Sequence, residues 1–195
     1  MRPSGHEQVP RYDGVSQTLH WVTAVLVVYA FIDGPGGTEA RVYAPWRDSQ
    51  RQFHETLGLF VLVLLIVRVF WRRMEKRPAP VQGVRWMKIS AGLVQCALYI
   101  LLFAVPGTAI VGAWLEGHPL TLLAGLTIPP PPLFAHTAGA AISNLHKWLG
   151  DLIMWVGAFH ALAAFYHHFV LKDTALLSML PSWIPLRAKR LGKAR

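Results

Sequence analysis

Four long apolar runs divide the chain, and they limit its possible folds more than any other feature. The runs cover residues 15–32, 52–71, 89–114 and 144–171, and they are rich in Leu, Val, Ala and Phe. Lengths of about 18 to 28 residues suit helices that cross a lipid bilayer with some tilt. The pattern therefore predicts an all-α fold, an integral membrane four-helix bundle in which residues 1–195 form a single membrane domain.

The composition argues against a soluble protein. Hydrophobic residues make up 53% of the chain, charged residues make up 15%, and eight Trp are present, so the chain is more apolar than a soluble domain of this size. The net charge of +9 could indicate nucleic acid, but the basic residues concentrate between and after the apolar runs, as in membrane proteins. We therefore expect membrane lipid, and no nucleic acid, as a partner. Cys96 is the single cysteine, which excludes a disulfide framework within the chain.

Two of the runs can each be interpreted in a second way. In the second run the uninterrupted apolar stretch covers only residues 57–67, about half a bilayer, so the helix must extend through His54 and Arg68. Those two residues need a polar or protein-lined environment. The first run could instead be a cleaved signal peptide ending near Ala30, but the basic region before it is thin. We favour an uncleaved helix because it retains His20, an intramembrane ionisable residue.

The distribution of Lys and Arg predicts the orientation in the membrane. Fourteen of the nineteen lie in the N-terminal tail, in the segment between the second and third runs, or in the C-terminal tail. The opposite side carries Arg41, Arg47, Arg51 and Lys147. Because cytoplasmic segments carry the excess of positive charge, both termini are predicted to be cytoplasmic, and segments 33–51 and 115–143 are predicted to be outer loops.

Two segments share the pattern H-x-x-L-G, and each opens an apolar run. They are His54 to Gly58 and His146 to Gly150. On a helix, residues four apart lie on the same face, one turn from each other. Each glycine therefore leaves space beside its histidine for a flat macrocycle to pack against the backbone.

Four histidines can be sorted into two levels. His160 follows His146 by fourteen residues, which returns to within about 40° of the same helix face, about 21 Å further along the axis. With the predicted orientation, His20 and His160 lie at the inner level, and His54 and His146 lie at the outer level. Haem iron accepts pairs of neutral imidazoles. The residues therefore predict two haem b groups, with iron held by the pairs His20/His160 and His54/His146 and with Gly58 and Gly150 beside the outer group.

A single histidine in an apolar run can also have a role that needs no iron. A membrane histidine often makes a helix contact or lies at the membrane interface. Zinc is a competing metal, but zinc sites cluster their ligands in one place and favour Cys or carboxylate. Three histidines in tails and loops are expected to be solvated surface residues: His6, His118 and His136.

Several segments resemble the bacterial cytochrome b561 family. Besides the second-helix H-x-x-L-G motif, they are RYDGVSQTLHW at 11–21, RVFWR at 68–72, AGLTIP at 124–129, HALAAFYHHF at 160–169 and KDTALLSMLP at 172–181. The resemblance covers nearly the whole chain. It implies a four-helix bundle with two b-type haems in the bacterial inner membrane, and it implies that some relatives act as superoxide oxidases that pass electrons to ubiquinone.

The four candidate histidines lie where the family's haem ligands would fall. One position departs from the pattern: the third helix of relatives often carries a His before Leu-Tyr, and this chain has Gln95 in that region. An amide is a poor haem ligand, so any role of that histidine in relatives is not expected here.

The inner end contains a candidate quinone site at His167. This residue lies seven positions after His160, within about 20° of the same face and about 10 Å closer to the cytoplasm. A titratable imidazole there could hydrogen-bond a quinone carbonyl and deliver a proton, and the resemblance also points to a quinone. Alternatively, His167 and His168 belong to an interfacial belt with Tyr166 and Trp71.

Three further side chains near the inner end are weaker quinone candidates. They are Ser16, Gln17 and Arg68. For Arg68, a side chain that snorkels towards the cytoplasm is the better interpretation.

The outer end contains Arg41, Arg47 and Arg51, which lead into His54. Such a basic patch would attract a small anion such as superoxide, although acidic residues in the same loop cancel part of the charge.

Three functions remain open. The first is a superoxide:ubiquinone oxidoreductase. The second is a haem b electron-transfer subunit that links quinone to a periplasmic electron donor or to a partner dehydrogenase or hydrogenase. The third is a membrane scaffold without haem.

Overall fold

Four long helices dominate the computed structural model, which describes residues 11–75, 84–181 and 183–184. They are α1 (Gly14–Ile32), α3 (Asp48–Met74), α4 (Arg85–Leu115) and α5 (His136–Tyr166), with the short helices α2 (Glu39–Val42) and α6 (Ala175–Ser178) beside them. Each long helix is long and apolar enough to cross a membrane. The chain is thus mostly helical, as expected for a membrane helical bundle.

Three long helices begin earlier than their apolar runs do. Helix α3 begins at Asp48 instead of 52, α4 at Arg85 instead of 89, and α5 at His136 instead of 144. The added turns are Ala-rich or contain charged and polar residues, and such residues form helix without being apolar enough to extend a membrane span. Asp48 in the first turn of α3 is also favoured by the helix dipole. The connections from α1 to α3 and from α4 to α5, which we call the outer connections after the predicted orientation, are therefore shorter than segments 33–51 and 115–143.

The fourth apolar run does not end as a regular α-helix. A π-helical turn at His167–Leu171 follows α5, and Lys172 then adopts a left-handed conformation with a φ of 56°. The backbone N–H of Asp173 donates to the carbonyl of His167 at 3.1 Å. The chain reverses here and brings Asp173 back beside the end of α5.

Helices α4 and α5 pack closely because small residues lie between them. A Cβ on Gly112 would lie 2.5 Å from Ser143 Oγ, and a Cβ on Gly139 would lie 2.8 Å from Glu116 Cγ. Membrane helices approach each other in this way when their contact positions lack side-chain bulk.

The second outer connection folds back over the start of α3. It forms a small antiparallel pair, β1 (Leu120–Thr121) and β2 (Thr127–Ile128). The Glu55 carboxylate accepts a hydrogen bond from the Thr121 N–H at 2.6 Å. This contact fixes the outer connection beside the first turns of α3.

The two ends of the described chain meet at the inner end of the helices. Gln17 is buried, and its amide donates to the carbonyls of Tyr12 at 2.9 Å and Ser178 at 3.3 Å. Asp13 caps α1 and accepts hydrogen bonds from the Ser16 N–H and the Trp71 ring N–H. Burial works to raise the pKa of the Asp13 carboxyl, but these hydrogen bonds outweigh it and hold the pKa below its usual value.

Several residues that support the predicted orientation lie outside the described residues. They are Arg2, Lys76, Arg77, Arg187, Lys189, Arg190, Lys193 and Arg195. His6 also lies outside the described residues. The cytoplasmic location of both termini therefore rests on the sequence.

Candidate functional site

His54 on α3 and His146 on α5 face each other near the outer ends of their helices. Their ring centres are 6.1 Å apart, and the ring planes are inclined by 80°. The Nδ1 atom of each ring lies 2.9 Å from a backbone carbonyl oxygen, that of Ala30 for His54 and that of Val105 for His146. Because a carbonyl only accepts, both Nδ1 atoms carry the proton, and the lone pair of each neutral ring is on Nε2.

The local structure explains why the Ala30 carbonyl is available. Ala30 lies in the last turn of α1, where carbonyls have no donor within the helix. The backbone of Gly34 lies beside the same ring, because a Cβ at this position would be 3.6 Å from His54 Cε1. The end of α1 thus fixes both the orientation and the tautomer of His54.

His20 on α1 and His160 on α5 form the second pair. Their ring centres are 6.3 Å apart, and the planes are inclined by 83°. Arg68 Nη2 lies 3.3 Å from His20 Nδ1, and its guanidinium lies 5.5 Å from the centre of the Tyr99 ring. Arg68 is therefore held by protein groups at its own level. Since guanidinium only donates, His20 Nδ1 is an acceptor, unlike Nδ1 in the outer pair, and iron binding at His20 Nε2 would require the proton of the neutral ring to move to Nδ1.

Both pairs have the spacing that an iron between two imidazoles requires. Metal–imidazole bonds are about 2 Å long, and two such bonds plus the distance from each Nε2 to its ring centre give a separation of this size. At the outer level a Cβ on Gly58 or Gly150 would meet no atom within 4 Å. The outer pair fits haem by spacing, tautomer and adjoining room, and the inner pair fits by spacing.

Comparison with known proteins identifies the family. The family model described as prokaryotic cytochrome b561 matches residues 11–182. The chain belongs to the prokaryotic cytochrome b561 family. The resemblance predicted from sequence is thereby confirmed, and membership makes the chain a membrane-embedded haem b protein of electron transport. A haem-free scaffold is no longer a candidate.

Curated relatives of this cytochrome b561 family member are similar along most of their length. Cytochrome b561 homolog 2 of Escherichia coli strain K12 is 28% identical over 171 residues, covering 87% of this chain and 91% of the relative. The probable superoxide oxidase CybB of Yersinia pestis is 28% identical over 173 residues, covering 88% and 96%. Cytochrome b562 of Cereibacter sphaeroides is 32% identical over 183 residues, covering 89% and 97%.

His167, the predicted quinone contact, is hydrogen-bonded to Asp173. Its Nδ1–H donates to Asp173 Oδ2 at 2.5 Å, and the other carboxylate oxygen accepts from the Ala175 N–H at 2.9 Å. The side chain of His167 is 26% exposed, so its ring remains accessible. The role of Asp173 could not be predicted, because the π-helical turn that brings it back has no recognisable sequence pattern.

Two of the weaker quinone candidates have other partners. The hydroxyl of Ser16 donates to Asp13, and the amide of Gln17 donates to backbone carbonyls of both chain ends. These contacts give Ser16 and Gln17 structural roles at the start of α1.

Arg51 does not extend into solvent as a basic approach to His54 would require. The residue is 8% exposed, pairs with Asp48 at 2.7 Å and Glu55 at 3.2 Å, and also donates to the Thr121 hydroxyl. Its guanidinium lies 5.0 Å from the centre of the Tyr43 ring. Two carboxylates balance its charge locally, so Arg51 stabilises the outer connection and adds little to an attractive field.

Arg47 and Arg41 remain accessible at the outer end. Arg41 is exposed, and Arg47 is half-buried and donates to the Gln50 amide oxygen. Gln50 in turn donates to the carbonyl of Asp33 at 2.9 Å, next to the Gly34 backbone beside His54. Arg47 is therefore linked by contacts to the outer histidine pair.

The outer region as a whole is not basic. Within segments 33–56 and 115–147, the basic side chains are Arg41, Arg47, Arg51 and Lys147. The acidic side chains in the same segments are Asp33, Glu39, Asp48, Glu55 and Glu116. Any attraction for an anion must therefore come from the local placement of the accessible cations Arg41, Arg47 and Lys147.

Gln95 is not near an iron-binding pair but supports an arginine. It accepts a hydrogen bond from Arg72 Nη2 at 3.0 Å, and Arg72 Nη1 donates to the Tyr99 hydroxyl at 3.1 Å. A cleft of about 410 Å³ lies beside this group and is lined by Val69, Arg72, Arg73, Glu75 and Tyr99.

A polar cluster that was not predicted from the sequence lies near the start of α5 and the end of α4. His118 donates to Glu39 at 2.7 Å and stacks on the Tyr43 ring with centres 3.5 Å apart, and His136 donates to the other Glu39 oxygen at 3.0 Å. The expectation that His118 is a solvated surface residue was wrong, because its ring packs between two partners. The side chain of His136 is 61% exposed, as expected for a surface residue, and it keeps its hydrogen bond to Glu39. The hydrogen bond from His118 holds the pKa of the Glu39 carboxyl below its usual range.

Proposed function

We propose that this chain is a di-haem cytochrome that oxidises superoxide at its outer end and reduces ubiquinone at its inner end. The observation that carries the proposal is the arrangement of two histidine pairs at two levels of membrane-spanning helices. His146 and His160 lie fourteen residues apart on α5, which separates the two levels by about 21 Å. A pair at each level would hold one haem near each face of the membrane.

The pairs His20/His160 and His54/His146 would each hold one haem, which would supply one-electron transfer. The protein contributes the ligand spacing, the Nδ1 hydrogen bonds that orient His54 and His146, and the glycine faces at Gly58 and Gly150. These hydrogen bonds also make the imidazoles more basic ligands.

At the outer end, accessible arginines would attract the substrate. Superoxide is a small anion, and Arg41 and Arg47 are accessible positive charges in the segment that leads into His54. Oxidation of two superoxide anions gives two O₂ and two electrons. The similarity to a relative named probable superoxide oxidase supports this choice of substrate.

At the inner end, His167 and Asp173 would serve the quinone. Reduction of ubiquinone to ubiquinol consumes two electrons and two protons. Asp173 fixes the His167 ring through Nδ1, so a protonated ring presents its Nε2–H to a quinone carbonyl oxygen and can transfer that proton. We also propose that both chain termini are cytoplasmic, which puts His167 on the proton-supplying side.

Stopped-flow mixing of the purified protein with superoxide, with and without ubiquinone, tests this function. We expect superoxide to reduce the haem on the stopped-flow timescale, and we expect the reduced haem to be reoxidised faster when ubiquinone is present. Haem that stays oxidised in excess superoxide, although dithionite reduces it, would exclude the proposed donor.

A second candidate is a haem b electron-transfer subunit with a protein donor. The excess of acidic over basic side chains in segments 33–56 and 115–147 favours it, because such a surface suits a partner with a basic face. Ionic strength separates the two candidates. Reduction by a superoxide pulse should slow as salt screens the arginines, whereas reduction by an added membrane extract would require a specific partner.

A further inference from the structure

Three separate segments bring metal-ligating side chains together at the outer surface. Glu39 lies in α2, whereas Glu116 and His118 directly follow α4. One oxygen of each carboxylate and one ring nitrogen of His118 all lie within 4.8 Å of one another. His136, at the first position of α5, approaches the same Glu39 with its Nε2 at 3.0 Å. The cluster is distinct from both histidine pairs in its residues and in its carboxylate content.

Glu116 supplies an independent sign of a missing partner. The residue is only 9% exposed, yet its carboxylate accepts no hydrogen bond from the residues that the structure describes, whereas Glu39 accepts one from each histidine. The Glu116 oxygens therefore have no protein partner among the described residues, and charged groups of mostly buried residues are commonly paired or coordinate metals. Gly139 provides the room for this side chain, because a Cβ there would lie 2.8 Å from Glu116 Cγ.

We propose that Glu39, Glu116 and His118 bind a divalent transition-metal ion of the zinc class, with His136 as a further ligand. Two carboxylates and one or two imidazoles are a ligand set that Zn²⁺ accepts, and Ca²⁺ or Mg²⁺ would instead favour oxygen ligands alone. Stacking of His118 on Tyr43 fixes the ring plane. The ion would replace the protons that now join Glu39 to the histidines.

Metal binding would change the charge of the outer surface. The acidic side chains in segments 33–56 and 115–147 outnumber the basic ones by one, so a divalent cation would make this region net positive. The proposal does not rest on the proposed superoxide chemistry, since the ligands form a site whether or not electrons pass through the protein.

Equilibrium dialysis against Zn²⁺ tests the proposal with the haem-loaded protein in detergent after treatment with EDTA. We expect one Zn²⁺ per chain for the wild type. The near-isosteric variant Glu116→Gln should bind Zn²⁺ at least about 10-fold more weakly. Asp33→Asn, which removes an outer carboxylate outside the cluster, should bind like the wild type and serves as the matched control.

Two additional measurements keep the test decisive. His118→Gln should also weaken Zn²⁺ binding, and its haem spectrum reports whether the bundle is intact, so a poorly folded Glu116→Gln does not end the experiment. X-ray absorption at the zinc edge should show nitrogen and oxygen ligands. Equal Zn²⁺ affinity in the wild type, Glu116→Gln and His118→Gln, or no saturable binding, would overturn the proposal. None of these measurements requires superoxide or quinone.

Discussion

His54 and Ala30 are joined by a 2.9 Å hydrogen bond from the imidazole Nδ1–H to a carbonyl in the last turn of α1. The same helix carries His20, which lies opposite His160. Helix α1 thus supplies one member of the inner pair and orients one member of the outer pair. This arrangement ties the two levels together through one rigid element.

The pairing predicts which haem each histidine holds. His20→Ala and His160→Ala should each remove the inner haem, and His54→Ala and His146→Ala should each remove the outer haem, because each variant lacks one of the two residues that would hold the group. The haem content, measured by the pyridine haemochrome assay, should fall from two haems per chain to one.

Gln95→Ala is the control for the histidine variants, because Gln95 contacts Arg72 and no histidine pair. It should retain both haems. The two-level arrangement fails if His20→Ala and His54→Ala bleach the same spectral component.

The glycines beside the outer pair offer a steric test. Gly58→Leu and Gly150→Leu should lower outer haem content while leaving the helices intact, because a side chain at either position would occupy the face where a macrocycle packs. Gly92→Leu is matched, since a Cβ at Gly92 also meets no atom within 4 Å, and Gly92 does not follow a candidate ligand. Equal haem content in all three variants would show that the glycine faces have no role.

The two outer arginines should respond differently to substitution. Arg51→Gln should destabilise the protein by about 3 kcal/mol, because it leaves Glu55 and Asp48 without their buried partner. Thermal melts in detergent measure this effect. Arg47→Gln should leave the melting temperature nearly unchanged, but it should slow haem reduction by superoxide and reduce the dependence of that rate on ionic strength.

Unaltered salt dependence in Arg47→Gln would speak against electrostatic attraction of superoxide and would favour a protein donor. The rate of quinone reduction from pre-reduced haem is the internal control, since it should be the same in the wild type and in Arg47→Gln.

The His167–Asp173 pair should act at the inner end alone. His167→Phe and Asp173→Asn should each slow reoxidation of pre-reduced haem by ubiquinone about 10-fold or more, since proton transfer by a positioned group contributes at least this much. Haem reduction at the outer end should remain normal. Stopped-flow spectroscopy with a water-soluble ubiquinone separates the two phases.

His168→Phe is the neighbouring control for this experiment. The Nδ1 atom of His168 is buried without a hydrogen-bond partner among the described residues, so nothing assigns it a proton-transfer role. Normal quinone turnover in both His167→Phe and Asp173→Asn would place the acceptor site elsewhere on the protein.

The long helices could be predicted from sequence because burial in lipid requires continuous apolar runs. The first turns of α3, α4 and α5 could not be predicted, because these helices begin at Asp48, Arg85 and His136, before their apolar runs. Hydropathy gives no signal for a helical turn outside an apolar run. The histidine pairs could be proposed because helical periodicity and orientation give both the face and the depth of a residue.

The polar contacts around the pairs depend on distant residues. Arg51 meets Thr121, seventy positions away, and His118 meets Glu39, seventy-nine positions away. No local pattern predicts such contacts, because the folding of the outer connections decides them. This is why the sequence predicts an accessible basic patch at Arg51 and a solvated ring at His118.

Both histidine pairs take one member from α5, which is synthesised after α1 and α3. His20 on α1 and His54 on α3 therefore enter the bilayer before their partners, His160 and His146, are inserted. A polypeptide truncated before α5 would present two lone imidazoles and no complete pair. If these pairs hold the haems, cofactor binding can be completed only after α5 has been synthesised and inserted.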